Sequence, residues 1–375
     1  MIKRSLEDKI KKELDKEEVL VLYGPRQAGK TTLLKQIKKK TKKKVLEVDG
    51  DLGLNQKLFS SLNLEKIKST INGYELVMID EAQRIENIGL NLKIIHDNIP
   101  NVKIIATGSS SFELSNKIRE PLTGRAKVFM LYPVSIAELK KNNYQIEESL
   151  ENYLLYGMYP KVLGLKNNKE KITYLQSVVE ANLYKDILEL DRLKNPKILK
   201  DLLVLLAFQL GKEVSLNELS KSLAVARETV VRYLDLLEKA FIIIRLGGFS
   251  RNLRKEVIKN SRYYFMDIGI RNALINNFNS LDIRNDVGML WENFLLLERM
   301  KLQHYNEIYS NNYFWRTYDQ KEIDLIEERD GKLWAYEFKW GNGKAKGFSE
   351  FLASYKNSQF KLINRDNFLT FLGKI

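Results

Sequence analysis

Over its first 135 residues the chain alternates short, unbroken apolar runs with amphipathic stretches. Glu18 to Tyr23 (EVLVLY), Glu75 to Asp80 (ELVMID) and Val102 to Thr107 (VKIIAT) are rich in β-formers and carry no polar alternation. Such runs predict strands buried on both faces, as in a parallel sheet covered by helices. From residue 148 the pattern changes to a helical period that continues to Leu190. NPKILKDLLVLLAFQLG, closed by Gly211, predicts a further helix. Ser215 to Glu218 reads as a capping box opening a short second helix, and Ala226 to Ala240 is a third, running into the apolar strand Phe241 to Arg245. Three helices followed by a strand ribbon form a winged-helix pattern. Farther on, Val287 to Met300 is an amphipathic helix with Leu290, Phe294 and Leu297 as its core stripe, and Asn312 to Gln320 reads as a strand. The hairpin EIDLIEERDGKLWAYEFKW, Glu322 to Trp340, follows.

At 375 residues the chain exceeds what one core usually supports, so two to four domains are expected. Hydrophobic residues at 44% are enough to bury them. There are 62 Lys and Arg against 48 Asp and Glu, a net charge of +14. That balance suits a polyanionic partner, nucleic acid first, and charge alone leaves a merely charge-rich soluble protein equally open. The absence of cysteine excludes disulfide scaffolds, zinc ribbons and thiol catalysis, and two histidines, His96 and His304, leave little for histidine-rich sites. The charged N-terminus is no signal peptide, and LLVLLAF at Leu202 is too short to span a bilayer. The expectation is a cytoplasmic, non-membrane protein.

One motif changes the picture. Directly after the first strand stands GPRQAGKTT, in which Gly24, Gly29, Lys30 and Thr31 satisfy G-x-x-x-x-G-K-[ST] between a strand and a helix. The two glycines let backbone N–H groups wrap a phosphate at a helix N-terminus. Lys30 is placed for the β- and γ-phosphates and the Thr31 hydroxyl for Mg²⁺. The expected ATP cradle is Gly24, Pro25, Arg26, Gln27, Ala28, Gly29, Lys30, Thr31 and Thr32. The second strand ends in Asp80-Glu81, with Asp80 expected to hold the Mg²⁺ shell and Glu81 to polarise an attacking water. At the end of the third strand, Thr107 or Ser109 is placed to touch the γ-phosphate or that water. The run Lys38 to Lys44 reads as a solvated helix end ahead of a nucleic-acid contact.

TGSSSFELSNKIREPLTGRAKVFMLYPVSIAEL, from Thr107, resembles archaeal and bacterial ATPases of the AAA+ superfamily, in the group with a nuclease-like C-terminal domain of unknown function. The resemblance implies an additional-strand P-loop core whose last strand is Lys127 to Leu131. It also implies an arginine finger, Arg125 with Arg119 competing, that contacts the phosphate of a neighbouring subunit or domain. Gly108 stands where such proteins commonly carry an asparagine. ESLENYLLYGMYPKVLGL, Glu148 to Leu165, resembles the Y-L-x-x-G-G-[FY]-P signature of the group, with Met158 for the second glycine, and implies a small helical lid. Rings are common among such ATPases, so a homo-oligomer stays open.

Between Lys212 and Arg262 there are eleven basic and six acidic residues. Arg227, Thr229 and Arg232 on the third helix are expected at a DNA major groove, with Arg251, Arg254, Lys255, Lys259 and Arg262 clustered after the wing. The alternative is a winged helix that docks protein.

In the hairpin, an Asp330-Gly331 turn makes opposing residue numbers sum to 661. Asp324 then faces Glu337, and Glu322 faces Lys339, with all four on one side and Ile323, Leu325, Trp334, Tyr336 and Phe338 on the other. Opposed carboxylates repel, so stability does not call for them. They suit a divalent metal for phosphodiester hydrolysis. The set resembles the D…E-x-K core of PD-(D/E)XK nucleases, which implies Glu292, Asp324 and Glu337 as metal ligands and Lys339 as the catalytic lysine.

The sequence thus predicts an α/β protein in four parts: a parallel-sheet AAA+ P-loop core (1–140), a helical lid (141–194), a winged helix (195–262) and an α/β nuclease-like domain (263–375). The function expected is Mg²⁺-dependent ATP hydrolysis coupled to a DNA-associated activity. The alternative is a signalling or scaffolding ATPase with a protein partner and an inert nuclease-like domain.

Overall fold

The computed structural model describes residues 2–108, 121–191 (181–191 by backbone alone), 195–251, 261–317, 321–341, 343 and 348–374. They divide into two compact units, Met1–Val134 with Lys239–Phe241, and Ser135–Glu238 with Ile242–Ile375. Among the described residues no helix is long and apolar enough to cross a membrane.

The first unit is built on a five-stranded parallel sheet in the order β2-β3-β4-β1-β5. Its strands are β1 (Val19–Tyr23), β2 (Val45–Asp49), β3 (Leu76–Asp80), β4 (Lys103–Gly108) and β5 (Ala126–Met130). All of β1 and β4 is buried, which explains why those runs lack polar alternation. Helix α1 (Ser5–Glu13) precedes the sheet, and the crossovers use α2 (Lys30–Lys40), α3 (Gly53–Phe59), α4 (Leu64–Ile71) and α5 (Ile88–Asn98). Val21, Val77, Ile79, Leu92, Ile95, Ile104 and Ala106 pack in one core. β4 lies between β1 and β3, so Tyr23 pairs beside Gly108 and Ile79 beside Ala106. The ends of all three strands therefore meet at one edge. The lysine run across the end of α2 is held locally, by Lys38 to Glu47, Lys40 to Glu7 and Lys43 to Asp15.

The second unit carries a seven-stranded sheet in the order β12-β11-β10-β9-β7-β8-β6. Its strands are β6 (Glu213–Val214), β7 (Ile243–Gly248), β8 (Ser261–Phe265), β9 (Asn311–Arg316), β10 (Glu322–Arg329), β11 (Lys332–Phe338) and β12 (Ser358–Ile363). Its helices are α6 (Asn143–Glu148), α7 (Leu150–Tyr156), α8 (Pro160–Gly164), α9 (Asn168–Asp191), α10 (Pro196–Phe208), α11 (Leu216–Leu223), α12 (Arg227–Lys239), α13 (Ile268–Leu274), α14 (Val287–Tyr305), α15 (Phe348–Ser354) and α16 (Phe368–Phe371). The expected helices and ribbon appear as α10, α11, α12 and the antiparallel β7–β8 pair. Ser215 caps α11 by accepting from Glu218 N at 3.3 Å. Arg254, Lys255 and Lys259 lie outside the described residues.

The segments expected as lid, winged helix and C-terminal domain share this one unit, for two physical reasons. The first is the sheet: β7 runs parallel to β9, pairing Gly247 with Tyr313 and Gly248 with Phe314. The second is a buried polar joint. Asp267, in the loop before α13, accepts from Met158 N at 2.7 Å and from Gly269 N at 2.8 Å. Asn272 donates to the Leu154 and Leu155 carbonyls at 3.0 and 2.9 Å. The expected lid signature and the segment YYFMDIGIRNAL are thus two halves of one core.

The hairpin turn is as expected. Asp330 and Gly331 have φ of +53° and +70°, as a two-residue hairpin turn with both central residues left-handed requires. Leu325 pairs with Tyr336 and Arg329 with Lys332, the predicted register. The two-faced division is corrected. The β9–β10 pairing slips by one residue between Ile323 and Ile326. A bulge reverses the alternation, so Ile323 packs with Ile326, Leu333, Ala335 and Phe351 of α15. Tyr336 and Phe338 pack on Phe371, with ring centroids 4.8 and 5.8 Å apart. Both faces are covered, and neither is a free polar surface.

Candidate functional site

The nucleotide edge is assembled by backbone constraints first. Gly24 has φ +154°, and a Cβ there would stand 2.2 Å from the Leu131 carbonyl oxygen, so only glycine fits this approach. Gly29 has φ +101° and opens α2. Such a glycine-bounded loop ahead of a helix N-terminus is suited to wrapping an anion with backbone N–H groups. The Lys30 ammonium is buried and donates to the Gly24 and Pro25 carbonyls at 2.8 and 3.0 Å. The Thr31 hydroxyl donates to Asp80 Oδ2 at 2.6 Å, so the two residues expected to share Mg²⁺ already touch.

Thr107 stands beneath the two acids. Its hydroxyl is buried, donates to Asp80 Oδ1 and accepts from Glu81 N at 3.3 Å. It therefore fixes the two acids from the neighbouring strand. Glu81 takes a left-handed conformation, φ +49° and ψ +42°, and its carboxylate accepts from the Gln83 amide. Ser109 and Arg119 lie outside the described residues. Arg125 is not at this edge. It precedes β5, whose Ala126 pairs with Val19 at the start of β1, whereas the loop follows Tyr23 at the other end. Its Nε donates to Asp97 at 2.8 Å. About five residues of strand, on the order of 16 Å, separate it from its own chain's loop.

One residue that sequence reasoning missed braces the loop from behind. Arg4, buried just before α1, donates from Nη1 to the Ala28 carbonyl at 2.7 Å and from Nη2 to the Tyr132 carbonyl at 2.6 Å. In the sequence it sits in a highly charged helical stretch and carries no signal of its own.

The second expected centre, in the other unit, has a different chemistry from the one the sequence suggested. Arg262 on β8 is 3% exposed, and its Nη2 meets Glu322 Oε2 at 2.6 Å. Its Nη1 lies 3.6 Å from both Glu292 Oε1 and Asp324 Oδ1. Lys339 donates to Glu337 Oε1 at 2.6 Å, Tyr264 OH to Glu292 Oε1 at 2.6 Å, and Phe338 N to Asp324 Oδ2 at 2.8 Å. Burial raises the pKa of Glu292, Asp324 and Glu337, and the Asp324 charge raises Glu292 and Glu337 further. Burial works against the Arg262 charge, but Tyr264 and the surrounding acids more than offset it. Among the described residues no three Asp, Glu, His or Cys side chains come together closely enough to hold a metal ion. The Glu292, Asp324 and Glu337 set does not fit one, because a fixed guanidinium lies between the first two and a lysine holds the third. Arg262 is likewise withdrawn from the basic surface expected after the wing.

The strand order, the loop and the Thr31–Asp80 pair give the first unit the architecture of a P-loop nucleotide-binding domain. Residues 16–140 match the model of the AAA domain. Residues 147–281 and 287–369 match two domains of unknown function, DUF8612 and DUF4143. The first of these spans crosses residue 263, in keeping with the Asp267 joint. An uncharacterized protein of Mycobacterium tuberculosis is 26% identical over 340 residues, covering 90% of this chain and 74% of that one. An uncharacterized protein of Methanocaldococcus jannaschii is 26% identical over 329 residues, covering 82% and 71%. Among solved structures, the Walker-type ATPase of Pyrococcus abyssi shares the fold at TM-score 0.51 and 18% identity, over 73% of this chain and 96% of that one.

Proposed function

We propose that the chain is a Mg²⁺-dependent ATP hydrolase. The observation that carries the reading is the Thr31–Asp80–Thr107 chain, which ties the loop threonine next to Lys30 to Asp80 and, through Thr107, to the backbone of Glu81. The loop amides and Lys30 bind and orient the phosphates. Thr31 and Asp80 would hold Mg²⁺, which when bound neutralises charge on the β- and γ-phosphates. Glu81, fixed through its backbone by Thr107, accepts hydrogen bonding from the attacking water and turns it toward the γ-phosphorus. Lys30→Ala is expected to lose nucleotide binding, and Glu81→Gln to bind ATP with kcat lowered about 100-fold or more. Equal turnover by wild type and Glu81→Gln would remove Glu81 from this role.

Hydrolysis is coupled, in this reading, to a DNA-associated activity, supported by the net charge of +14. A specific observation favours a protein partner as the second reading. The exposed residues of α12 include Glu228 and Asp235 beside Arg227 and Arg232, with Val231 45% exposed among them. That mixture suits a protein surface better than a phosphate backbone. Titrating duplex and single-stranded DNA at two salt concentrations separates the two. A log–log slope of several units supports DNA, and no binding at low salt supports the protein partner. A finger role for Arg125 requires a second chain, and ATP-dependent oligomerisation lost on Arg125→Ala would support it.

A further inference from the structure

The four acids around the β10–β11 hairpin raise a question that the nucleotide site does not answer. A divalent ion bound directly to Glu292 and Asp324 would need carboxylate oxygens about 2.0–2.6 Å away. Arg262 Nη1 already lies 3.6 Å from an oxygen of each, so such an ion would be in contact with a guanidinium. An arginine cannot yield by losing its proton. Nor is the side chain free to swing out. It is 3% exposed, lies over the Phe314 ring at 4.6 Å, and is tied to Glu322 at 2.6 Å. Its strand is fixed on both sides, with Arg262 paired to Leu246 of β7 and to Glu213 of β6. Lys339 donates to Glu337 Oε1 at 2.6 Å.

We propose that Arg262 is the resident cation of this cluster. It takes the place of a divalent metal, so the hairpin acids lock β8 to β10 and α14 and hold no catalytic ion for phosphodiester cleavage. The proposal is independent of ATP hydrolysis, which uses residues of the other unit.

The test is a Mn²⁺ titration of the full-length, nucleotide-free protein, followed by electron paramagnetic resonance. Wild type, Asp324→Asn, Arg262→Gln and the Arg262→Gln/Asp324→Asn double variant are compared. Wild type and Asp324→Asn are expected to bind Mn²⁺ identically. Arg262→Gln is expected to gain one equivalent, which the added Asp324→Asn change removes. Any other Mn²⁺ site is common to all four proteins and cancels. A wild-type site that Asp324→Asn abolishes would overturn the proposal. So would a folded Arg262→Gln protein with no added Mn²⁺. Should Arg262→Gln fail to fold, the wild-type and Asp324→Asn pair decides alone: equal binding supports the proposal and unequal binding overturns it.

Discussion

Gly157→Ala tests the buried joint of the second unit. Gly157 has φ +74° and ψ −164°, a region essentially reserved for glycine. Alanine there costs about 1–3 kcal/mol in backbone strain alone. Its Cβ would also stand 1.9 Å from Asp267 Oδ1 and 2.7 Å from Oδ2, far inside contact distance. Asp267 cannot retreat without giving up the bonds from Met158 N and Gly269 N, and losing one bond to a charged group costs about 1.5–3 kcal/mol. The sum is about 2.5–6 kcal/mol, a large fraction of the roughly 5–15 kcal/mol that holds a typical domain together. All four tryptophans, Trp291, Trp315, Trp334 and Trp340, are in the second unit, so their fluorescence in urea reports its unfolding without the first. Asp267→Ala completes a double-mutant cycle: with the carboxylate gone, Gly157→Ala should retain its backbone penalty and lose the rest. If Gly157→Ala unfolded within about 1 kcal/mol of wild type, the interlock would not be what joins these segments.

Asp267 also predicts a pH dependence. Burial raises its pKa to about 6 from 3.8, so the folded unit binds more protons than the unfolded chain between those values, and stability falls as pH rises through that window. The shift of about two units amounts to about 3 kcal/mol lost by pH 7, and urea midpoints at pH 4 and 7 should show a steeper decline in wild type than in Asp267→Asn. Equal slopes would refute it. At the nucleotide edge, Arg4→Ala removes two charge-assisted bonds behind the loop and is expected to raise the KM for ATP about 10-fold, with a smaller change in kcat and partial rescue by Arg4→Lys. An unchanged KM would show that Arg4 serves stability alone. Thr107→Val removes the hydroxyl that fixes Asp80 and Glu81 and is expected to lower kcat about 10-fold with KM nearly unchanged. A KM effect alone would return Thr107 to the phosphate.

What the chain disclosed in advance follows the range over which each constraint acts. Gly24, Gly29, Lys30 and Thr31 act within eight residues, so the strand-loop-helix turn they form was legible from their spacing alone. The Asp330-Gly331 turn is local too, and it fixed the register as far as Leu325. Beyond that point the bulge against β9 intervenes, and nothing within the hairpin's own sequence marks it. Gly157 and Asp267 are 110 residues apart, so each read as a member of a separate segment, and the boundary expected at residue 263 ran through their contact.

Arg4 and Arg262 show the deeper limit. Both stand among other charges in sequence, Arg4 in an N-terminal helical stretch and Arg262 at the end of a basic cluster. A charge run is ordinarily a solvated face, yet both residues are buried, at 4% and 3% exposure. Burial of a guanidinium is tolerated only where acceptors converge on it. For Arg4 they are the carbonyls of Ala28 and Tyr132, and for Arg262 the carboxylates of Glu292, Glu322 and Asp324. The acceptors come from chain positions 24 to 128 residues away from the arginine they bind. One arrangement supports the phosphate loop and the other displaces a metal, so the same side chain serves opposite ends. The deciding variable is the set of groups that folding brings to it.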